Sequence, residues 1–310
     1  MTKFALLLPG QGAQAVGMGK AFYDRFPESK EIYKQANTHL GFDVAALCFE
    51  GPQEELTKTE KCQPALLVTS VAAYAAFRSS VANVQIVGAA GLSLGELTAL
   101  TVAESVKFSD ALYLVQARAT AMAQCAANST GAMLAVIGLA REPIKHICQQ
   151  AGVTAANFNA ADQVVLSGTV QGIEQAEQLA KAQGAKRAVR LDVAGAFHSP
   201  LMQPASDAFR QALRKVSFGA PKFPVISNVT AQPLVNPADI PDILARQIVS
   251  SVIWDGSMQW FLQQGVQTFV EFPPARVLTG LLRQIDRAAK GLAINEPADF
   301  DKLSQPVATP

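Results

Sequence analysis

Residues 84–103 read VQIVGAAGLSLGELTALTVA, and no other stretch constrains the fold of this chain as strongly. An apolar run of strand character stops at Gly91. The chain then passes through Leu92-Ser93-Leu94-Gly95 into apolar residues of helical pattern. A G-x-S-x-G sequence between a strand and a helix is a sharp turn. Its glycines allow tight backbone geometry, the serine hydroxyl is lifted out at the strand end, and backbone N–H groups are left free beside it. Ser93 is therefore the candidate nucleophile, and the bland alternative is an ordinary strand-to-helix turn.

Composition supports a folded α/β protein and excludes several classes. The chain has 310 residues, 49% of them hydrophobic and 16% charged, with a formal net charge of +1. That is enough chain for a large domain with a smaller companion, and nothing in the balance points to nucleic acid or to an anionic membrane. Four cysteines (Cys48, Cys62, Cys125, Cys148) show no metal or disulfide spacing, so reduced thiols, a cytoplasmic location and no metal are expected. The apolar start at residues 4–8 is too short for a signal core and ends in Pro9-Gly10. No run approaches a membrane span.

Residues 4–8 read as a buried first strand leading into a loop, Pro9 to Gln14. Gly10, Gly12 and Ala15 match the loose dinucleotide fingerprint, but residues 28–40 are charged and helical where that motif needs a second strand ending in an acid. The loop is instead a backbone-rich turn at a strand's carboxyl end, where α/β proteins place ligands. Residues 31–40 and 64–80 read as helices, and Ser109-Asp110 as the cap of a helix to Ala127. From Gly131 the order is strand, helix (142–151), two short strands within 153–168, helix (170–184) and strand (185–193). This β-α-β-β-α-β order fits an inserted ferredoxin-like unit. Its basic cluster, Lys181, Lys186, Arg187 and Arg190, reads as a solvated edge, with an acidic docking partner as the second reading. A helix follows Ser199-Pro200, then a strand (223–227), a helix (240–250), a strand (268–272) and a helix (277–288). The division expected is residues 1–127 with 197–294 as the catalytic domain, 128–196 as the small domain, and a disordered tail over 295–310.

A serine nucleophile needs a base. His39 and His146 lie in polar helical stretches and read as surface residues. His198 sits in a glycine-flanked loop at the start of a helix, whose positive end would keep it neutral, and it is the candidate base. No third member stands out: Asp192 and Asp207 are undistinguished, and a Ser–His dyad steadied by a carbonyl is equally open. The backbone N–H groups of Gln11 and Leu94 are candidates for an oxyanion hole. Arg118 is the single charge in the apolar helical run 111–127, so it needs an anion, either a distant Asp or Glu or a carboxylate on the substrate. Together these parts specify acyl transfer from an activated ester whose acyl group carries an acid.

Pro9-Gly10-Gln11-Gly12, GLSLGE, Gln116-Ala117-Arg118 with Met122, GAMLAVIGL, NFNAADQVVLSG, GAFHSPLM and Ile226-Ser227-Asn228-Val229-Thr230 occur in that order. In this the chain resembles the malonyl-CoA:acyl carrier protein transacylase family, over residues 3–287. The resemblance implies an α/β-hydrolase-like large domain with a parallel sheet and an inserted ferredoxin-like small domain. It implies that Ser93 carries the malonyl ester and His198 is the base, in ping-pong transfer from malonyl-CoA to the phosphopantetheine thiol of acyl carrier protein. Gln11 and Leu94 would supply oxyanion N–H groups. Arg118 would hold the malonyl carboxylate, with Met122 and Phe197 beside it in the substrate pocket. The backbone carbonyl of Gln247 would orient the histidine, and a bulky Phe197 would leave no room for an α-methyl group. The same resemblance implies no cofactor of the enzyme's own, a monomer, and a place in fatty acid or polyketide synthesis.

Three positions depart from the family pattern. Leu92 replaces a histidine of the elbow, Ala119 a glycine after the arginine, and Pro273-Pro274-Ala275 stands for Gly-Pro-Gly. The elbow histidine is not the base in the family, so none of the three removes a group on which the chemistry depends. The competing functional class is an acyl hydrolase or thioesterase using the same Ser–His pair, against which Arg118 argues, because a general esterase has no use for a cation in its acyl pocket. A non-catalytic binding module is the third, and the intact pair argues against it.

Overall fold

The computed structural model describes residues 2–304. Among the described residues nine strands form two sheets: β1 (Thr2–Leu8), β2 (Val84–Gly91), β3 (Gly131–Ile137), β4 (Thr154–Ala160), β5 (Gln163–Thr169), β6 (Arg187–Arg190), β7 (Val225–Ile226), β8 (Thr268–Glu271) and β9 (Lys290–Ala293). The first sheet is parallel throughout, in the order β7-β2-β1-β8-β9. Its central strand is apolar at every position from Phe4 to Leu8 because both its faces are covered. Side chains alternate between the faces: Phe4, Leu6 and Leu8 enter the larger core, and Ala5 and Leu7 the core beneath helices Trp254–Gln263 and Val277–Ile285.

The larger core is built against helices Thr59–Ser80 and Phe108–Ala127, which pack on each other, the second also on helix Gln203–Leu213. Helix Phe108–Ala127 starts one residue before the expected cap. Lys107 occupies the cap position without a side-chain bond, and Ser109-Asp110 lie in the first turn, where the Asp110 carboxylate meets the positive helix end.

The second sheet has the order β4-β5-β3-β6 and is antiparallel at every pairing, with helices Arg141–Ala151 and Val170–Ala182 enclosing a core of their own. In chain order this is the 4-1-3-2 arrangement of a ferredoxin-like unit, so the fold is α/β with a parallel sheet and a separate antiparallel one. In the expected basic cluster Lys181, Lys186 and Arg190 pair with Glu177, Glu174 and Asp162 at the surface and Arg187 is exposed, which is a solvated edge. The unit docks through Val252. Its N–H donates to the Ala156 carbonyl at 2.8 Å, and its carbonyl accepts from Phe158 N at 2.9 Å. Arg141 adds an ion pair to Asp255 at 2.5 Å. We propose the domain division at residues 128 and 196, because a Cβ on Gly131 would lie 2.5 Å from Ala196 N: the chain leaves the parallel-sheet part and returns to it at one point.

Several expectations need correction. Residues 295–304 are ordered, not a disordered tail. Asn295 Nδ2 donates to the Ala275 carbonyl and its Oδ1 accepts from Ala275 N, both at 2.8 Å. Phe300 and Leu303 are buried, and the Phe300 ring packs against Phe22, Phe26 and Phe77. Two apolar side chains one turn apart sufficed to dock a segment that is otherwise polar. The remainder of the expected tail, 305–310, lies outside the described residues. Strand β9 and the short helices Lys20–Arg25, Val44–Glu50 and Gln53–Thr57 are additional to the sequence reading, and the strand expected at 223–227 is reduced to Val225–Ile226.

Candidate active site

The elbow is as tight as its sequence demands. A Cβ on Gly91 would sit 1.9 Å from the Gly95 carbonyl group, and one on Gly95 would sit 2.2 Å from the Leu8 carbonyl oxygen. Both positions therefore exclude any side chain. Ser93 has φ 54° and ψ −105°, a strained conformation for a residue with a Cβ, and it persists only where its surroundings enforce it. Asn228 does much of that enforcing. Its Oδ1 accepts from Ser93 N at 2.7 Å and its Nδ2 donates to the Gly91 carbonyl at 2.7 Å, so one fully buried side chain bridges the turn.

His198 is buried, with its own positive φ of 57°. Its Nδ1 lies 2.9 Å from the Gln247 carbonyl and its Nε2 lies 2.8 Å from Ser93 Oγ. A carbonyl only accepts, so the proton sits on Nδ1, and Nε2 offers its lone pair to the serine hydroxyl. Burial and the neighbouring Arg118 cation pull its pKa down from 6.5 to about 4. Burial, not the helix end expected from the sequence, keeps the ring neutral: Pro200–Met202 form only a single 3-10 turn before helix Gln203–Leu213. Ser199 occupies the cap position before Pro200, as expected, but makes no side-chain cap bond. Its hydroxyl donates to the Ala196 carbonyl at 2.7 Å and ties down the loop that carries the histidine. Asp192 and Asp207 are exposed and away from the ring, as are His39 and His146.

Arg118 enters the same cluster from helix Phe108–Ala127 and is 2% exposed. Its partners are all neutral: Gln63 Oε1 at 2.6 Å, Gln247 Oε1 at 3.0 Å and Ser93 Oγ at 3.0 Å. Among the described residues no carboxylate forms an ion pair with it, so the structural ion pair weighed as its alternative role is not what holds it. Burial lowers its pKa to about 10, opposed by the charge of Glu96, and it remains a cation at neutral pH. Met122 backs this arrangement from below, its sulfur 3.5 Å from Gln63 Nε2.

These groups open into a cavity of about 250 Å³ between the two sheets. Ser93, His198, Arg118, Gln11, Leu94 and Phe197 line it on one side, and Asn157, Asn159 and Gln163 of the antiparallel sheet on the other. Among the described residues no protein acceptor takes the N–H of Gln11 or of Leu94. The Gln11 side chain is tied to Thr59 Oγ1 at 3.2 Å, and Leu94 opens helix Leu94–Val102, whose positive end favours a nearby anion. The Ser93 N–H is unavailable, being held by Asn228. Leu92 also lines the cavity, and Ala119 is fully buried in the helix beside Arg118. Pro273-Pro274-Ala275 is not in the lining. Ser70 Oγ and Asn295 fasten it, and Val277 beyond it reaches the rim. Among the described residues no group of three or more His, Cys, Asp or Glu side chains is placed to hold a metal ion.

The sequence reading brought together seven residues that do line this cavity, Met122 among them, with Gln247 behind it. It overlooked Gln63, Glu96 and Asn228. Glu96 carried the same signal as Arg118, an ionisable residue in an otherwise apolar helical run, and had only to be treated the same way.

Residues 6–295 match the acyl transferase domain family. The malonyl CoA-acyl carrier protein transacylase of Bacillus subtilis (strain 168) is 40% identical over 310 residues, spanning 98% of this chain and 97% of the relative. An acyl carrier protein S-malonyltransferase from Vibrio cholerae O1 superposes with a TM-score of 0.94 at 39% identity, over 98% of this chain and 100% of that one. A malonyl-transacylase solved in complex with its type II polyketide-synthase acyl carrier protein superposes with a TM-score of 0.94 at 37% identity, over 97% and 98% of the two chains. With a buried arginine facing a serine–histidine pair at the mouth of the same fold, the chain belongs to the malonyl CoA-acyl carrier protein transacylases of the acyl transferase family.

Proposed function

We propose that the protein transfers a malonyl group from malonyl-CoA to the phosphopantetheine thiol of an acyl carrier protein, in two half-reactions at Ser93. The observation that carries this reading is Arg118: a buried cation, held by neutral oxygens and 3.0 Å from the serine hydroxyl, is a site for an acyl group that ends in a carboxylate. In the first half-reaction Ser93 Oγ attacks the thioester carbonyl while its proton passes to His198 Nε2. The oxyanion faces the free N–H groups of Gln11 and Leu94, and collapse expels the coenzyme A sulfur, which takes the proton back from His198. In the second, the carrier's thiol gives its proton to His198 and attacks the ester, and Ser93 Oγ recovers the proton as it leaves. The Gln247 carbonyl holds the ring in the tautomer both steps need. Phe197 walls the acyl pocket and sets its preference for an unbranched malonyl group, and Met122 supports Gln63 under Arg118.

The reaction balances with malonyl-CoA and the carrier's thiol alone, and no cofactor of the enzyme's own enters it. All the groups come from one chain, in keeping with a monomer. Among the described residues no helix is long and apolar enough to cross a membrane. Four free cysteines, with Cys48 and Cys62 pushed up to about 12 by burial, suit a reducing cytoplasm. The hydrolase reading is not favoured, since the relatives are transacylases and nothing in an esterase needs Arg118.

Incubation with malonyl-CoA and holo-carrier protein tests this. Malonyl-carrier should form in step with coenzyme A release, and a carrier lacking phosphopantetheine should give none. Free malonate released at the same rate without any thiol would make the enzyme a hydrolase.

A further inference from the structure

Glu96 lies three residues past the serine, in the first turn of helix Leu94–Val102, and is fully buried. A buried carboxyl in an apolar helix is costly unless it is hydrogen-bonded, and one of its oxygens, Oε1, has no partner at all. The other, Oε2, accepts from Gln247 Nε2 at 2.6 Å and from Asn228 N at 3.1 Å. Gln247 then stands between two ionisable side chains, Arg118 and Glu96. Its Oε1 accepts from Arg118 Nη2 at 3.0 Å, and its Nε2 faces Glu96 and also donates to the Ser93 carbonyl at 2.9 Å.

The chemistry of this row is directional. Arginine only donates, and Glu96 Oε2 accepts whether or not the unpartnered Oε1 carries a proton, so the amide between them has one favourable orientation. Turned over, it would set its NH2 against the guanidinium and its oxygen against the carboxylate and the Ser93 carbonyl. A direct Glu96–Arg118 ion pair would neutralise the arginine more strongly but would occupy the fork that a substrate carboxylate needs. Placing an amide between them keeps part of the attraction and leaves the guanidinium free.

We infer that Glu96 is a positioning residue for malonyl selectivity: through the Gln247 amide it fixes the Arg118 guanidinium where it meets the substrate carboxylate, an inference that rests on the reading of Arg118 given above. The Asn228 side chain touches this row only through a long bond, its Oδ1 accepting from Gln247 Nε2 at 3.4 Å, and its main task is a different one. It holds the Ser93 peptide, which every acyl group uses, and so it bears on rate without regard to the acyl group.

The test compares single-turnover acylation by malonyl-CoA and acetyl-CoA in the full-length protein, for wild type, Glu96→Gln, Glu96→Ala and Asn228→Ala, each also in an Arg118→Ala background. Glu96→Gln is nearly isosteric and keeps an oxygen for Gln247, so it reads the effect if Glu96→Ala does not fold. The malonyl-to-acetyl rate ratio should fall in the order wild type, Glu96→Gln, Glu96→Ala, by about tenfold overall, and should not fall further once Arg118 is Ala. Asn228→Ala should lower both rates by a common factor. A loss in the Glu96 variants that is equal for the two substrates, or that adds in full to the Arg118→Ala loss, would overturn the inference. If instead wild type showed no preference for malonyl, the proposed function itself would fail first.

Discussion

An arginine buried among neutral oxygens is costly to maintain in a folded protein, because each N–H bond to an amide or hydroxyl recovers only part of the lost hydration. Arg118 is tolerated because Gln63, Gln247 and Ser93 satisfy it and because Glu96 lies one amide away. Removing a buried charge partner costs binding of the ion it faces, so Arg118→Ala should weaken malonyl transfer relative to acetyl by about 30-fold or more. Competition between the two coenzyme A esters measures this directly, and equal losses would make Arg118 structural. His198 gives a second expectation. With its pKa drawn down to about 4, the ring is already the neutral base throughout the neutral and mildly acid range. Acylation of Ser93 by acetyl-CoA, which makes no use of Arg118, should therefore hold level as pH falls from 8 to about 5, where a histidine of ordinary pKa, about 6.5, would already have lost the activity. A fall-off centred near 6.5 in rapid-quench measurements would contradict the buried geometry. At this scale Ser93, His198 and Arg118 were legible because each is an odd residue in its local pattern. Gln63 and Asn228 were not, because a glutamine in a helix and an asparagine in a loop are ordinary until the fold brings them together.

The elbow shows how elements make those residues work. Strand β2 and helix Leu94–Val102 approach so closely that Gly91→Ala would force a methyl group into the Gly95 backbone, where nothing flexible can move aside. Overpacking of this kind should cost about 3 kcal/mol or more, read as a shift of the urea midpoint. An unchanged midpoint would mean that the turn is looser than described. The helix also carries a stability term that depends on pH. Burial raises the pKa of Glu96 from 4.5 to about 7. Between those values the folded protein holds a proton that the unfolded chain has released, so this contribution is present below pH 4.5 and is lost as pH rises through 7. His198 acts oppositely: its contribution is present above 6.5 and is lost as pH falls through 4. The two terms offset each other in wild type. Glu96→Gln removes one of them, so its melting temperature relative to wild type should climb steadily from pH 4.5 to 7. A difference independent of pH would show that Glu96 is ionised in the folded state across that range. Long periodic elements were readable in the sequence. The short helices of residues 20–57 and strand β9 were not, because their few apolar positions acquire meaning only against the core they meet.

At the scale of the whole molecule, two sheets of different construction face one cavity, and the serine comes from one while the far wall comes from the other. The order of strands and helices was enough to read the antiparallel unit, since β-α-β-β-α-β admits few foldings. The carboxyl-terminal segment was misread because it is polar except for Phe300 and Leu303. Those two side chains close the larger core beside Phe22 and Phe77, and Phe300→Ala should destabilise the protein by about 3 kcal/mol in urea denaturation. A change below about 1 kcal/mol would show the segment to be dispensable. The account as a whole turns on one covalent species. Mixed with malonyl-CoA alone, the protein should gain the mass of a single malonyl group, mapped by peptide mass spectrometry to Ser93, lost on addition of holo-carrier protein and absent in Ser93→Ala. A malonyl group found elsewhere, or turnover in Ser93→Ala at the wild-type rate, would contradict it.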